Sequence, residues 1–292
     1  MRQALNAATD ALRAAGIDNP RLDAELLLAE ATGWERARLA AEPETEIPPP
    51  AARSFAEMVR RRLRREPVAY IVGCRGFREI ELRVDPRVLI PRPETELLVE
   101  LALEERPRRV LDVGTGSGAI ALAVAEELPE CEVVATDTSA AALEVARANA
   151  ERLGLAERVE LVEGTLPDSG EFDLVLANLP YVSEAEWPGL EPEVTEWEPR
   201  EALLAGPDGL DAFRTVVPAL VRARASCGRS SSRYADGSAT PTAPVSTAPV
   251  VGLEVGEGQA TAVAEMLRKA GFGEVETRAD LADIERVVVG RL

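Results

Sequence analysis

The chain has 292 residues, 46% of them apolar, with 51 acidic against 33 basic side chains and a formal charge of −18. That length suits one large domain or two ordinary ones with ample core, and the charge repels nucleic-acid phosphate unless a local basic patch intervenes. There is no His, which excludes histidine bases, Ser-His triads and His-metal sites.

Three scattered cysteines, Cys74, Cys131 and Cys227, make neither a disulfide framework nor a zinc spacing. No metal is expected, and reduced thiols in a cytoplasmic setting are the simple reading. The first residues lack the apolar core of a signal peptide. No stretch approaches the roughly 20 apolar residues of a membrane span.

Residues 1–66 read as helices only. Leu5, Ala8, Leu12 and Ala15 recur at helical spacing and Gly16 is placed to end the run. Asn19-Pro20 offers a cap with proline at the first helical position. Leu22, Leu26 and Leu27 then share a face that stops at Gly33. After "IPPPA", "ARSFAEMVRRRLRRE" makes a basic amphipathic helix whose arginines read as a solvated face. The expectation is a bundle of four short helices, too small to be stable alone. Residues 67–90, with Gly73, Gly76 and the alternation "REIELRV", predict a linking β-hairpin.

From residue 91 the chain becomes a larger domain. Strands at "RRVLDVG", "CEVVATD", "RVELVEG", "FDLVLAN" and "VVGLEVG" alternate with helical patterns, and "GEVETRA" and "RVVVGRL" close the chain as a hairpin. Seven strands in this order predict a mainly parallel sheet covered by helices on both faces. Residues 222–249, rich in Ser, Thr, Ala, Pro and Arg without hydrophobic period, read as a disordered insertion.

Two stretches carry chemistry. In "VLDVGTGSGAIALAVA" a strand runs into Gly114, Gly116 and Gly118 and then a helix, so backbone N–H groups can approach a ligand closely. Asp137 ends the second strand at the separation expected of an acid binding ribose hydroxyls. A dinucleotide enzyme fits these features equally well. The fourth strand decides: it ends in Asn178-Leu179-Pro180-Tyr181. The plain alternative is an Asn closing a strand before a turn. Beside the glycine loop, however, the tetrapeptide suits methylation of a planar NH₂ nitrogen. The Asn178 side-chain oxygen and the Leu179 carbonyl can accept its two N–H groups. Pro180 holds Leu179 extended, and the Tyr181 ring offers a flat face.

This tetrapeptide is similar to the Asn-Pro-Pro-Tyr signature of amino-group methyltransferases acting on glutamine, adenine or guanine. With "LIPRPETE" (residues 89–96), "EPREALLAGPDGLDAFRTVVPAL" and "LEVGEGQA", nearly the whole chain outside 222–249 resembles the HemK/PrmC family, the peptide-chain release factor glutamine N5-methyltransferases. The resemblance implies a class I S-adenosylmethionine-dependent methyltransferase fold of the α/β, Rossmann-like type, with a small N-terminal helical bundle that grips the substrate. It implies S-adenosylmethionine as cofactor, held by Asp112, Gly114, Thr115, Gly116, Ser117, Gly118 and Asp137, with Leu166 beside the adenine and Asn178 at the methyl group. The substrate would be the Gly-Gly-Gln glutamine of class I release factors, held by Asn178 to Tyr181 with Arg92 and Pro93 as a pocket wall. It implies a monomer, without DNA or membrane as partner.

Leu179 departs from the family's proline; a role played through the carbonyl survives that change. "RPET" reads equally well as a plain helix start. The competing functions are a ribosomal-protein glutamine methyltransferase, a nucleic-acid exocyclic-amine methyltransferase, disfavoured by the charge, and a non-catalytic binding module that kept the fold.

Overall fold

The computed structural model describes residues 1–167, 171–227 and 250–292. In chain order its helices and strands are α1 (Arg2–Ala14), α2 (Pro20–Thr32), α3 (Arg36–Ala41), α4 (Pro49–Leu63), α5 (Val68–Val72), β1 (Cys74–Phe77), β2 (Ile80–Arg83), α6 (Glu96–Glu105), β3 (Arg109–Val113), α7 (Ala119–Glu127), β4 (Glu132–Asp137), α8 (Ala140–Leu153), β5 (Val159–Glu163), β6 (Leu174–Ala177), α9 (Pro192–Thr195), α10 (Asp211–Cys227), β7 (Val250–Glu254), α11 (Ala260–Ala270), β8 (Glu274–Ala279) and β9 (Glu285–Arg291). The chain divides into two compact units. No helix among the described residues is long and apolar enough to cross a membrane.

The helical unit comprises Met1–Cys74, Val84–Pro86 and Leu190–Glu198, whereas the expected boundaries lay at 66 and 90. Its core gathers Leu5 and Leu12 of α1, Leu27 and Leu28 of α2, Phe55 and Val59 of α4, and Ile71 of α5. Helix α4 starts inside the proline run, with proline in its first turn, where a missing N–H costs nothing. Helix α5 occupies "VAYIV", part of the expected hairpin. Gly73 ends it in the left-handed conformation at φ 83°, and the hairpin β1–β2 follows.

The arginines of and after α4 form a solvated face only in part: Arg60 and Arg64 are exposed, whereas Arg62 turns inward. Helical spacing sets Arg62 three residues after Val59, on the inner side, and it is 7% exposed. Its guanidinium meets Asp23 at 2.7 Å and Glu193 at 2.7 Å, and donates to the Glu66 carbonyl at 3.3 Å. Arg65 binds Glu191 and Glu193 and donates to the Gly16 carbonyl. A buried charge left unpaired would be costly, so this cluster ties α2, α4 and the Leu190–Glu198 segment together.

The second unit comprises Arg75–Arg83, Arg87–Gly189 and Pro199–Leu292. Its sheet has the order β5-β4-β3-β6-β7-β9-β8. All neighbours are parallel except β9, which runs antiparallel to both β7 and β8. Alternate residues of the central strands face two cores. Val110, Leu174 and Leu176 meet α6 and α7 on one side; Leu111, Val175 and Ala177 meet α10 and α11 on the other. From β3 the chain winds outward through β4 and β5, then returns to place β6 on the other side of β3. The direction of winding reverses between β3 and β6, and a crevice opens at such a point beyond the strand ends. The insertion expected at 222–249 lies outside the described residues from 228 onward; residues 222–227 continue α10.

Candidate functional site

The crevice at the β3–β6 switch is a cavity of about 480 Å³, within the usual range for small-ligand sites. It lies wholly in the sheet-bearing unit. Gly114, Gly116, Asp137, Asn178, Leu179 and Pro180 line it, together with Arg87–Leu89, Gly164, Thr165 and some of the residues between Pro199 and Val216.

The glycine loop takes a left-handed backbone at Gly114, φ 77°, a conformation that costs a side-chain-bearing residue about 1 kcal/mol or more. A Cβ there would lie 3.6 Å from the Asn178 carbonyl oxygen and 3.7 Å from Leu179 Cδ2. A side-chain atom on the loop after β3 would therefore touch the tetrapeptide after β6, so the two stretches lie side by side. Asp137 receives the Gly116 N–H at 2.9 Å on one oxygen and the Ser139 N–H at 2.8 Å on the other. A carboxylate has about four acceptor positions, so it can still take a pair of hydroxyls from the cavity.

Asp112, Thr115, Ser117 and Gly118 sit beneath this surface and do not line the cavity. Asp112 is fully buried and accepts from the Thr115 hydroxyl at 2.6 Å and from the Ala121 N–H at 3.1 Å. Burial pushes its carboxyl up to about 7, against the pull of those two donors. Its other oxygen is buried without a partner among the described residues. Asp112 therefore braces the loop from below.

Asn149 of α8, absent from the sequence reading, braces it from the side. Its amide nitrogen donates to the Ser117 and Arg83 carbonyls, and its oxygen accepts the Arg83 N–H. An Asn inside an otherwise ordinary helical pattern carries no signal of this. Leu166, expected at the adenine, is partly buried against the core, and its neighbours Gly164 and Thr165 line the cavity.

At the β6 end, Asn178 donates from Nδ2 to the Thr95 hydroxyl at 3.0 Å, which leaves Oδ1 as the acceptor. Leu179 is 5% exposed and packs into the core with Val113 and Ala177. Its side chain is structural, which complements the role expected of its carbonyl. Tyr181 donates to Glu254 Oε1 at 3.4 Å, and burial first, then the nearby Glu254 charge, raises its hydroxyl above the ordinary tyrosine range.

The Tyr181 carbonyl accepts from Gln259 Nε2 at 2.8 Å, and the Gly256 N–H holds Gln259 through Oε1 at 3.0 Å. Gly209 approaches the same carbonyl closely: a Cβ would stand 2.2 Å from it. The stretches "GPDGLDA" and "LEVGEGQA" thus build the seat of the tetrapeptide. Arg92 and Pro93 do not line the cavity. Arg92 donates to the Ile90 carbonyl, and Pro93 opens a 3₁₀ turn that ends in Thr95. Among the described residues no cluster of side chains could hold a metal ion.

The chain matches the PrmC N-terminal domain over residues 3–73 and the methyltransferase small domain over residues 93–189. It is 39% identical over 295 residues to the release factor glutamine methyltransferase of Caulobacter vibrioides, covering 99% of this chain and 95% of that one. With the enzyme of the same name from Cereibacter sphaeroides it shares 41% over 293 residues, covering 99% and 97%. With that of Moorella thermoacetica it shares 46% over 225 residues, covering 75% and 79%. Among solved structures, the hMettl16 catalytic domain in complex with MAT2A 3'UTR hairpin 6 aligns with a TM-score of 0.56 at 14% identity, covering 76% of this chain and 80% of that one. That likeness is one of fold.

Proposed function

The chain belongs to the release factor glutamine methyltransferases, a family of S-adenosylmethionine-dependent enzymes, and we propose that it methylates the side-chain amide nitrogen (N5) of the Gly-Gly-Gln glutamine in class I release factors. The observation that carries this reading is the orientation of Asn178. Its NH₂ end is committed to Thr95, so its oxygen is the end available to accept a hydrogen bond at the cavity wall.

The residues present fit the cofactor. Gly114 and Gly116 offer a side-chain-free wall, and Asp137 keeps acceptor positions for ribose hydroxyls. When bound, S-adenosylmethionine supplies an electrophilic methyl group on a positively charged sulfur. The chain's own task is to present the amide nitrogen. That lone pair is delocalised into the carbonyl, and no side chain here is basic enough to deprotonate the amide beforehand.

Asn178 Oδ1 and the Leu179 carbonyl accept the two N–H groups, which aims the lone pair and strengthens as positive charge develops on nitrogen. Pro180 keeps Leu179 extended so that its carbonyl direction is set. The Tyr181 ring supports the planar amide. The helical unit supplies the grip on the release factor, which places the reaction in the cytoplasm, and one chain suffices for the site.

Incubation with labelled S-adenosylmethionine and a class I release factor tests this. Label on the Gly-Gly-Gln glutamine is expected, falling roughly 10²–10³-fold in rate for Asn178→Ala, the usual loss of one transition-state hydrogen bond. Absence of label, with folded protein that binds the cofactor, would refute the assignment.

A further inference from the structure

We propose that Asn149 is a positioning residue for S-adenosylmethionine: its carboxamide fixes the glycine loop and the end of the β1–β2 hairpin to each other before the cofactor arrives. The inference rests on the cofactor assignment above and adds a residue outside the cavity lining.

Asn149 lies well inside α8 and is fully buried. Asn is an indifferent helix former, and a buried carboxamide costs stability unless its hydrogen bonds are made. Here they are made to the backbone of two other segments. Nδ2 donates to the Ser117 carbonyl at 2.9 Å and to the Arg83 carbonyl at 3.0 Å, and Oδ1 accepts the Arg83 N–H at 2.7 Å. Carbonyls only accept and a backbone N–H only donates. The orientation of the carboxamide is therefore set by partners that do not titrate and have one polarity each, and both of its N–H groups are used.

Each segment leads into the cavity wall. Ser117 follows Gly116, which lines the cavity and gives its N–H to Asp137 at 2.9 Å. Gly116 and Gly118, on either side of Ser117, are left-handed at φ 56° and 86°. Glycines have many conformations open to them, so a loop of this kind binds a ligand well only when other groups hold its shape. Asp112 holds it at Thr115, and Asn149 holds it at Ser117.

Arg83 ends β2, whose one strand neighbour among the described residues is β1. Asn149 offers Arg83 an acceptor and a donor together, as an adjoining strand would. Shortly beyond Arg83 the chain reaches Arg87, Val88 and Leu89, which line the same cavity. Arg83, Ser117, Asn149 and these wall residues all belong to the sheet-bearing unit. Without the carboxamide, the Ser117 carbonyl and both Arg83 groups lose a partner, and the loop and the hairpin end are free to move independently. Cofactor binding must then order both.

The test uses the full chain and reads cofactor Kd by calorimetry, thermal stability, and amide hydrogen exchange with and without S-adenosylmethionine. Asn149→Leu keeps the approximate volume and removes the three bonds. Its cofactor Kd is expected to rise roughly 5–30-fold, the equivalent of one to two buried hydrogen bonds. Exchange should quicken over residues 83–89 and 114–118 of the cofactor-free protein, and saturating S-adenosylmethionine should restore protection in both. At saturating cofactor, kcat and the release-factor KM should stay within about threefold of wild type, because the Asn178 end is untouched. Val159→Ala is the control for stability alone. It trims the core at the start of β5, away from the end where Glu163 pairs with Asp137, and should lower the melting temperature without moving Kd.

Three results would overturn the inference: an Asn149→Leu Kd within about twofold of wild type, an equal rise in Kd for Val159→Ala, or exchange that quickens across the whole unit and stays fast with cofactor bound. Should Asn149→Leu not fold, Asn149→Ala, which leaves room for water at the three backbone groups, carries the same comparisons. Wild-type protein that binds S-adenosylmethionine while Asn149→Leu binds it equally well sinks this inference alone; wild-type protein that binds none sinks the cofactor assignment beneath it.

Discussion

Gly209→Ala is the most discriminating single change outside the cavity's polar groups. The residue has φ 74°, and an added Cβ would stand 2.2 Å from the Tyr181 carbonyl oxygen and 2.6 Å from Gln259 Nε2. Contacts below 3.0 Å are essentially never tolerated by a real Cβ, so one partner must retreat by at least about 0.8 Å. Neither is a flexible side-chain tip free to swing away. The carbonyl is backbone, and Gln259 is pinned by the Gly256 N–H.

The left-handed backbone costs alanine about 1–2 kcal/mol, and losing the Gln259 bond to a buried carbonyl adds about 1–2 kcal/mol. The apparent melting temperature should drop by roughly 5–10 °C. Catalysis should suffer more than stability, because a displacement near 1 Å in a reacting group's support can cost ~10²-fold. The assay is thermal melting beside single-turnover methyl transfer to a release factor. Gly76→Ala is the control, since its added Cβ meets nothing within 4 Å. A Gly209→Ala protein with wild-type melting and wild-type rate would refute the idea that this glycine seats the tetrapeptide.

Three further outcomes follow from the same geometry. Leu179→Pro, which restores the family's usual residue, should keep kcat within about tenfold because the carbonyl stays; denaturant melts should show a loss of about 1 kcal/mol from the trimmed core side chain, and a rate loss beyond 100-fold would defeat the backbone role. Arg62→Ala should destabilise the helical unit by roughly 3–5 kcal/mol, because Asp23 loses its ion-pair partner and Glu193 keeps only Arg65; a loss below about 1 kcal/mol in urea would contradict it. Glu254 has its carboxyl raised from 4.5 to about 7, by burial first and then by Glu94, against Arg286. The native state then holds a proton that the unfolded chain releases, so this group's contribution falls as pH rises from about 4.5 to 7. Relative to wild type, Glu254→Gln should gain stability on the order of 3 kcal/mol across that window, and a pH-independent difference would rule this out.

The sheet was largely legible in the sequence because its cues are local. Val110–Val113 and Leu174–Ala177 are short apolar runs bounded by turn residues, and alternation with helical patterns predicts their parallel pairing. The closing hairpin followed from the missing helix between its strands. Composition misled at Val68–Val72, where β-branched residues suggested a strand. Pro67 before the helix and left-handed Gly73 after it decide otherwise. Within the arginine run Arg62 was taken for part of a solvated face because charge is visible in sequence and buried partners are not. The same limit hid the supports of the site. Thr95 meets Asn178 across 83 positions, Gln259 meets Tyr181 across 78, and Glu254 meets Tyr181 across 73. The motifs holding these residues were recognisable, but which atom each would hold is settled only by the fold.

The Leu190–Glu198 segment has a consequence for anyone dissecting the gene. It lies among sheet-bearing residues in sequence, yet Glu193 is an ion-pair partner of Arg62 and Arg65 in the helical unit. A fragment ending after Cys74 would carry both arginines without this carboxylate, and a fragment starting there would carry the carboxylate without its arginines. Neither half is a self-sufficient cassette. A chimera that exchanges the helical unit between relatives must therefore transplant three separate pieces of coding sequence, and a swap of the first alone should fail at Glu193.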